Sequence, residues 1–405
     1  MPEKAGPPNG RPITSGLYRD GPAASRRTTI ATAPAASGPN ASRWGRTIVT
    51  CPADPRDAEP GDPSDKVLDT IEARPYPSAA APDSARTAAL MPDSRGGAAA
   101  QRILVIKLGA LGDFVHAFHA FAAIRAHHPG SHITLLTTAP FRALAEASPW
   151  FDEVRVDPRA PWWNLAATRR TVAAMRGFDF VYDLQTSRRS GRYFRLAGRP
   201  PWSGIAPGAS HPHANPHRDA MHTVERQREQ LQAAGVTRWD PPERGWLTAR
   251  GYRHGLAAPY ALLMPGGAGL GSVKRWPAER YAAVAQRLLG LGLLPAVIGG
   301  GMEAPMARAI LAACPGAVDL TGRTSIEDIA ALASGAELVL GNDTGPVHVA
   351  ASAGAPTLVL FSAAGVPEQA APRGPNGEWV SVLQTPDLND LGVERVMQAV
   401  RDILG

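Results

Sequence analysis

Cysteine is nearly missing from this chain: Cys51 and Cys314 are the only two in 405 residues. Two widely separated thiols rule out a disulfide framework and offer no zinc-ligand spacing, so a reducing, cytoplasmic setting is the simplest. Long apolar runs are also missing. The most apolar stretch, Leu288 to Ile298, is broken by Gly290, Gly292 and Pro295, well short of the ~20 residues that span a bilayer. The N-terminus lacks the apolar core of a secretory signal. No G-x-S-x-G string is present, which argues against a serine hydrolase elbow. Charge of one sign is scarce too: the formal net charge is only +6. That balance gives no reason to expect nucleic acid and suits an acidic or phosphorylated small partner.

Residues 1–98 stand apart. They hold 15 of the 39 prolines and three aromatics, Tyr18, Trp44 and Tyr76. Their apolar residues keep no period, so the segment cannot offset its ordering entropy and is expected to be a disordered extension. At Ile103–Ile106 a continuous apolar run begins, the pattern of a strand buried on both faces. From there strands and helices alternate twice over. Residues 99–240 form one series and 259–388 a second, joined by a Pro-, Gly- and Arg-rich linker at 241–258. Residues 389–405 form a final helix. Such alternation predicts an α/β protein of two Rossmann-like, doubly wound domains facing a cleft. Ligands then belong beyond the carboxyl ends of the strands.

Motifs cluster at those strand ends. Lys107-Leu108-Gly109-Ala110-Leu111-Gly112-Asp113 follows the first strand. Asp113 is placed either as a general base for an acceptor hydroxyl or as a plain helix N-cap. Met264-Pro265-Gly266-Gly267-Ala268-Gly269 opens the second series and leads through Lys274-Arg275-Trp276-Pro277 into a helix. Glycines at Gly266 and Gly267 let amides approach phosphate oxygens, and Lys274 adds a charge. Gly341-Asn342-Asp343-Thr344-Gly345-Pro346-Val347-His348 starts another helix, whose free N–H groups suit a diphosphate. His348 reaches the same site or sits as a satisfied core histidine. Glu303, after Gly299-Gly300-Gly301, is either a ribose contact or a carboxylate favoured at a helix start. Arg188, Arg189, Arg192 and Arg195 are either phosphate contacts for an acceptor or a solvated helix face.

K-L-G-A-L-G-D-F-V-H, S-V-K-R-W-P and N-D-T-G-P-V-H, in that order, resemble the marks of glycosyltransferase family 9, the bacterial lipopolysaccharide heptosyltransferases. The resemblance runs from about Arg102 to the C-terminus. It implies a GT-B fold and inverting, metal-independent transfer of a sugar, heptose on ADP above all, to a lipopolysaccharide-core or related glycan. It implies Asp113 as the catalytic aspartate and Lys274 as the phosphate contact. It implies Asp343, Thr344, Gly345 and His348 as the donor-binding string, with Glu303 near the ribose and Thr324 beside the base. The final helix would pack back towards the first domain. Donor and acceptor are then the partners, the latter a glycan or phosphorylated glycolipid met at the inner-membrane surface; no nucleic acid, metal or cofactor is implied. No Asp-x-Asp triplet occurs, the usual cation holder of metal-dependent sugar transferases. The family's acceptor region has no clear match here.

Two rival readings stand beside this one. Gly299-Gly300-Gly301-Met302-Glu303-Ala304 fits the G-x-G-x-x-A dinucleotide pattern, with Asp319 further on, as in an NAD(P)-dependent oxidoreductase. A catalytically inactive nucleotide-binding homologue would also keep these loops.

Overall fold

The computed structural model describes residues 48–50, 101–161, 163–256, 259–267 and 274–405. Two parallel sheets organise them. The first is built from β2 (Arg102–Ile106), β3 (His132–Thr137), β4 (Glu153–Val156), β5 (Phe180–Asp183), β6 (Trp202–Gly204) and β7 (His211–Pro212), in the order β4-β3-β2-β5-β6-β7. The second contains β8 (Tyr260–Met264), β9 (Leu294–Val297), β10 (Val318–Asp319), β11 (Leu338–Asn342), β12 (Thr357–Phe361) and β13 (Ser381–Gln384). A short β1 (Ile48–Thr50) joins its edge, giving β1-β13-β12-β11-β8-β9-β10. Counted from its own first long strand, each sheet runs 3-2-1-4-5-6, the Rossmann order. The architecture is the two-domain GT-B type.

Alternation along each central strand feeds both layers. In β2, Ile103 and Val105 enter one apolar cluster and Leu104 and Ile106 the other. In β8, Leu262 and Met264 face one cluster while Ala261 and Leu263 face a second. Burying an aliphatic side chain of this size stabilises the fold by roughly 1.5–3 kcal/mol, so a one-residue slip of either strand is strongly disfavoured. The largest cluster crosses between the domains: Val105, Phe118 and Trp150 of the first belong with Leu262, Val339 and Val347 of the second.

Four features depart from the sequence-based expectation. Where the alternation predicts one helix after the first strand, there are two, Leu111–His116 and Phe118–His127, meeting at Ala117. The break lets the first helix face the second domain while Phe118 and Phe121 stay in the first-domain core beside Trp150. The 241–258 linker contains a helix, Gly245–Thr248, whose Trp246 packs edge-on against Phe118 and Trp150. The final helix, Val393–Leu404, does not fold back on the first domain. Its Val396, Met397 and Val400 are buried in the second-domain cluster with Trp276, Tyr281 and Leu288, because that face is apolar and the second sheet offers the apolar surface. Within 1–98, Ile48–Thr50 pair with Val382–Gln384; the rest of that expectation lies outside the described residues, as do Ala268 and Gly269 of the glycine loop after β8.

Candidate active site

The Leu111–His116 helix carries Asp113 in its first turn and packs directly on the Gly345–Ser352 helix of the second domain. Glycine makes the approach feasible. A Cβ on Gly345 would lie 2.7 Å from Leu111 Cβ, and one on Gly112 would lie 2.9 Å from the His348 ring. Asp113, Asp343 and His348 are thereby brought to one interface by elements from opposite domains.

Asp113 lines a small cavity of about 70 Å³ with Lys107, Thr186, Arg218, Arg226 and Gln230. Lys107 is buried and donates from Nζ to Leu184 O at 3.2 Å. Burial pushes its ammonium pKa down, and the Asp113 carboxylate pulls against that. Arg218 donates to Thr186 Oγ1 at 2.8 Å, Arg226 to Thr223 Oγ1 at 2.9 Å, and Gln230 to Asp183 O at 3.0 Å. Asp183 ends β5 and accepts from the Gln185 and Thr186 amides at 3.1 and 2.9 Å. Burial pushes its carboxyl up to about 6. The floor of the cavity is therefore cationic, and it keeps buried polar atoms without partners among the described residues at Gln227 and Asp183 Oδ2. Arg218, Arg226 and Gln230 sit in the second half of the first domain, where no local string marked them; only the pile-up of arginine and histidine over 211–228 hinted at it.

Asn342 organises the facing side. Its Nδ2 donates to Pro265 O and Gly266 O, both at 2.9 Å, and its Oδ1 accepts from Tyr281 OH at 3.0 Å. This fully buried amide ties the Gly266–Gly267 loop to the end of β11. Gly267 O accepts from Arg275 Nη2 at 2.8 Å, and Arg275 also reaches Glu303 Oε1 at 3.2 Å. Glu303 Oε2 accepts from the Gly300 amide at 2.8 Å in a capping arrangement. Glu303 thus sits against both glycine loops with its oxygens engaged. Thr324 is half-buried in the turn before the Ile326–Ala333 helix, and Gly322 donates to Gly299 O at 2.8 Å, holding that turn against the same loop.

Lys274 Nζ lies 3.8 Å from Asp343 Oδ2, and His348 Nε2 lies 3.7 Å from Asp343 Oδ1. Thr344 precedes the Gly345–Ser352 helix, and its Oγ1 is buried with no hydrogen-bond partner among the described residues. A buried hydroxyl without a partner beside a helix start and a lysine suits an anionic oxygen. Across the interface, His348 Nδ1 is 3.2 Å from His116 Nε2, and the His222 ring stands 5.0 Å from that of His116. Burial drives the His116 pKa well below its ordinary value and that of His222 down to about 3. Both are neutral, and His348 is a partnered interface residue rather than an isolated core histidine.

None of Arg188, Arg189, Arg192 and Arg195, read as acceptor contacts or a solvated helix face, lines the Asp113 cavity. Arg189 donates to Tyr193 OH at 2.9 Å and stands 4.0 Å from the buried Asp157. Arg188 and Arg192 are exposed on the Arg188–Leu196 helix. The cations beside Asp113 are Lys107, Arg218 and Arg226. In the dinucleotide-pattern loop, Asp319 Oδ1 is occupied by the Thr321 amide and hydroxyl at 2.8 and 2.6 Å. Among the described residues no group of three His, Cys, Asp or Glu is placed to hold a metal ion, and no helix is long and apolar enough to cross a membrane.

Two Rossmann lobes, a carboxylate on one and an anion-ready helix start on the other, define the class: a GT-B transferase. The glycosyltransferase family 9 (heptosyltransferase) model matches residues 167–400, and the chain belongs to that family. Lipopolysaccharide heptosyltransferase 1 of Salmonella typhimurium is 27% identical over 285 residues, 64% of this chain and 88% of that protein. The Pseudomonas aeruginosa protein of that name is 30% identical, covering 64% and 78%. Lipooligosaccharide heptosyltransferase 2 of Haemophilus influenzae is 32% identical, but over only 24% of this chain and 29% of its own length. A glycosyl transferase family 9 structure from Veillonella parvula shares the fold with a TM-score of 0.63 at 23% identity, covering 75% of this chain and 97% of that one. The E. coli heptosyltransferase WaaC with ADP gives 0.61 at 20% identity, covering 75% and 99%.

Proposed function

We propose that this protein transfers heptose from ADP-heptose to a hydroxyl of a lipopolysaccharide-core or related glycan, with inversion and without a metal ion, at the cytoplasmic face of a membrane. One observation supports the reading: the helix bearing Asp113 is packed on the helix that begins after Thr344, which brings the base and the proposed diphosphate cradle to one interface. The similarity to proteins named lipopolysaccharide heptosyltransferases supports the choice of sugar and acceptor class. ADP bound to the E. coli heptosyltransferase WaaC supports ADP as the carrier.

On this reading the donor diphosphate lies against the Thr344 hydroxyl and the first amides of the Gly345–Ser352 helix, with Lys274 beside it. The acceptor enters over Lys107, Arg218 and Arg226, whose charge suits an acidic or phosphorylated glycan. Asp113 takes the hydroxyl proton as the new carbon–oxygen bond forms on the face opposite the leaving diphosphate. The bond from the anomeric carbon to the diphosphate oxygen breaks, and its electron pair leaves with ADP. Lys274 and the helix dipole offset the charge that grows there. Holding both partners in line supplies a large share of the acceleration. Family membership argues against the oxidoreductase reading, and the placement of Asp113 on the helix packed against Gly345–Ser352 argues against an inactive homologue.

Asp113→Asn tests this directly. Turnover should fall by about 10²–10⁴-fold, while ADP-heptose affinity measured by calorimetry stays within about twofold. Wild-type turnover in that variant would remove Asp113 from the mechanism.

A further inference from the structure

Among the described residues, three of the four large apolar side chains exposed on the first domain are gathered in one place, with Ile205 apart from them. Trp163, Leu165 and Leu196 are 68%, 60% and 50% exposed. They line one groove between the Leu165–Ala173 and Arg188–Leu196 helices, formed by hollows of about 400 and 640 Å³ that share Thr168, Arg192 and Leu196. Its rim is basic. Residues 159–199 contain nine arginines and two aspartates, Asp179 and Asp183, and Asp183 is fully buried. Arg169, Arg170, Arg192 and Arg195 point outward from the two helices.

A Trp–Leu–Leu cluster ringed by arginine is costly for a surface left in water. Its chemistry matches a lipid headgroup layer. Indole rings favour the interfacial depth, leucines bury themselves at the acyl boundary, and guanidinium groups pair with phosphate. A second copy of the chain would bring like arginines together across the contact, which disfavours self-association at this face.

We propose that this groove and its arginine rim dock the protein on a bilayer containing anionic lipid. The Arg188–Leu196 helix starts two residues after Thr186, which lines the Asp113 cavity. Its nine residues span about 13 Å. A bilayer held at this face therefore lies beside the entrance through which an acceptor reaches Asp113. The inference rests on the reading of a membrane-borne acceptor and names the surface that meets the membrane.

The test is co-sedimentation of the full chain with phosphatidylcholine vesicles, with and without phosphatidylglycerol, in the absence of donor and acceptor. Partitioning should favour anionic vesicles by about tenfold or more and weaken as salt screens the arginines. A Trp163→Ser, Leu165→Ser, Leu196→Ser variant with an unchanged melting temperature should lose partitioning by at least about tenfold. Equal binding to both vesicle types, or wild-type partitioning by the triple variant, overturns the proposal. A concentration-dependent dimer abolished by the triple variant, without vesicle binding, also overturns it and points to a second copy. Should the variant fail to fold, hydrogen exchange on the wild type decides: slowed exchange across 160–170 and 188–196 on anionic vesicles supports docking, and unchanged exchange there refutes it. Vesicle binding with full turnover by Asp113→Asn would sink the transfer reading and leave this one standing. Lost turnover without vesicle binding would do the reverse.

Discussion

Asn342 shows what a single residue does here. Its amide makes hydrogen bonds to both carbonyls at the start of the glycine loop and accepts from Tyr281. Alanine in its place leaves two buried carbonyls and a hydroxyl without partners, each costing about 1–3 kcal/mol. Asn342→Ala should lower the melting temperature by several degrees and raise the donor KM, read by thermal unfolding and initial rates. Lys274 has a narrower part. Lys274→Ala removes a charge 3.8 Å from Asp343, and calorimetric ADP affinity should weaken by about tenfold with the fold intact. Unaltered affinity would take the lysine out of the phosphate site. Lys274 and Asp113 stood out in the sequence because each sits in a short string after a strand. Arg218 and Arg226 did not, since their closeness to Asp113 is made by chain folding over about a hundred residues.

Among the elements, the paired helices Leu111–His116 and Gly345–Ser352 decide whether the domains share a site. Each start is visible in the sequence: an apolar strand, a glycine-bearing turn and, in the second, Pro346 in the first helical turn. Their contact is not, because nothing local says that Gly345 faces Leu111. Gly345→Ala places a methyl 2.7 Å from Leu111 Cβ, which neither helix can relieve by a rotamer change. Overpacking of that kind costs about 1–3 kcal/mol. Both stability and donor binding should fall in this variant, whereas Gly290→Ala, whose added Cβ meets nothing within 4 Å, should leave donor binding unchanged. Equal behaviour of the two variants would show that the helices do not need this approach. The final helix makes the same point differently: its existence was legible in the sequence, but the choice between two domains depended on which sheet left an apolar face uncovered.

For the whole molecule, the histidines at the domain interface tie stability to pH. His119 and His222 keep folded pKa values of about 3 against an ordinary 6.5, mainly through burial, and His116 is lowered in the same direction. Below 6.5 the unfolded chain takes protons that the folded one refuses. The stability associated with these residues is complete above 6.5 and is lost as pH falls towards 3. Asp183 acts oppositely, since its carboxyl titrates near 6 when folded and near 3.8 otherwise. Its ionised form costs stability above about 6, and the cost fades as pH falls to 3.8. Each such histidine amounts to about 2 kcal/mol between pH 6.5 and 5, so the histidines outweigh Asp183. The melting temperature should fall by on the order of 5–10 °C from pH 7 to 5. His119→Phe should flatten that decline, because His119 Nε2 has no partner among the described residues and its ring stacks on Trp239. A melting temperature indifferent to pH over this range would show that the interface histidines are solvated.

Two Rossmann-like domains were legible in the sequence alone, since buried parallel strands demand continuous apolar runs and sharp glycine turns must be written locally. Tertiary structure alone decided that the helix of Asp113 packs on the helix that begins after Thr344, that Lys107, Arg218 and Arg226 line a cavity with Asp113, and that the last helix packs in the second domain. Those choices depend on which surfaces meet at close range, and packing distance is a property of the folded chain rather than of any segment read by itself.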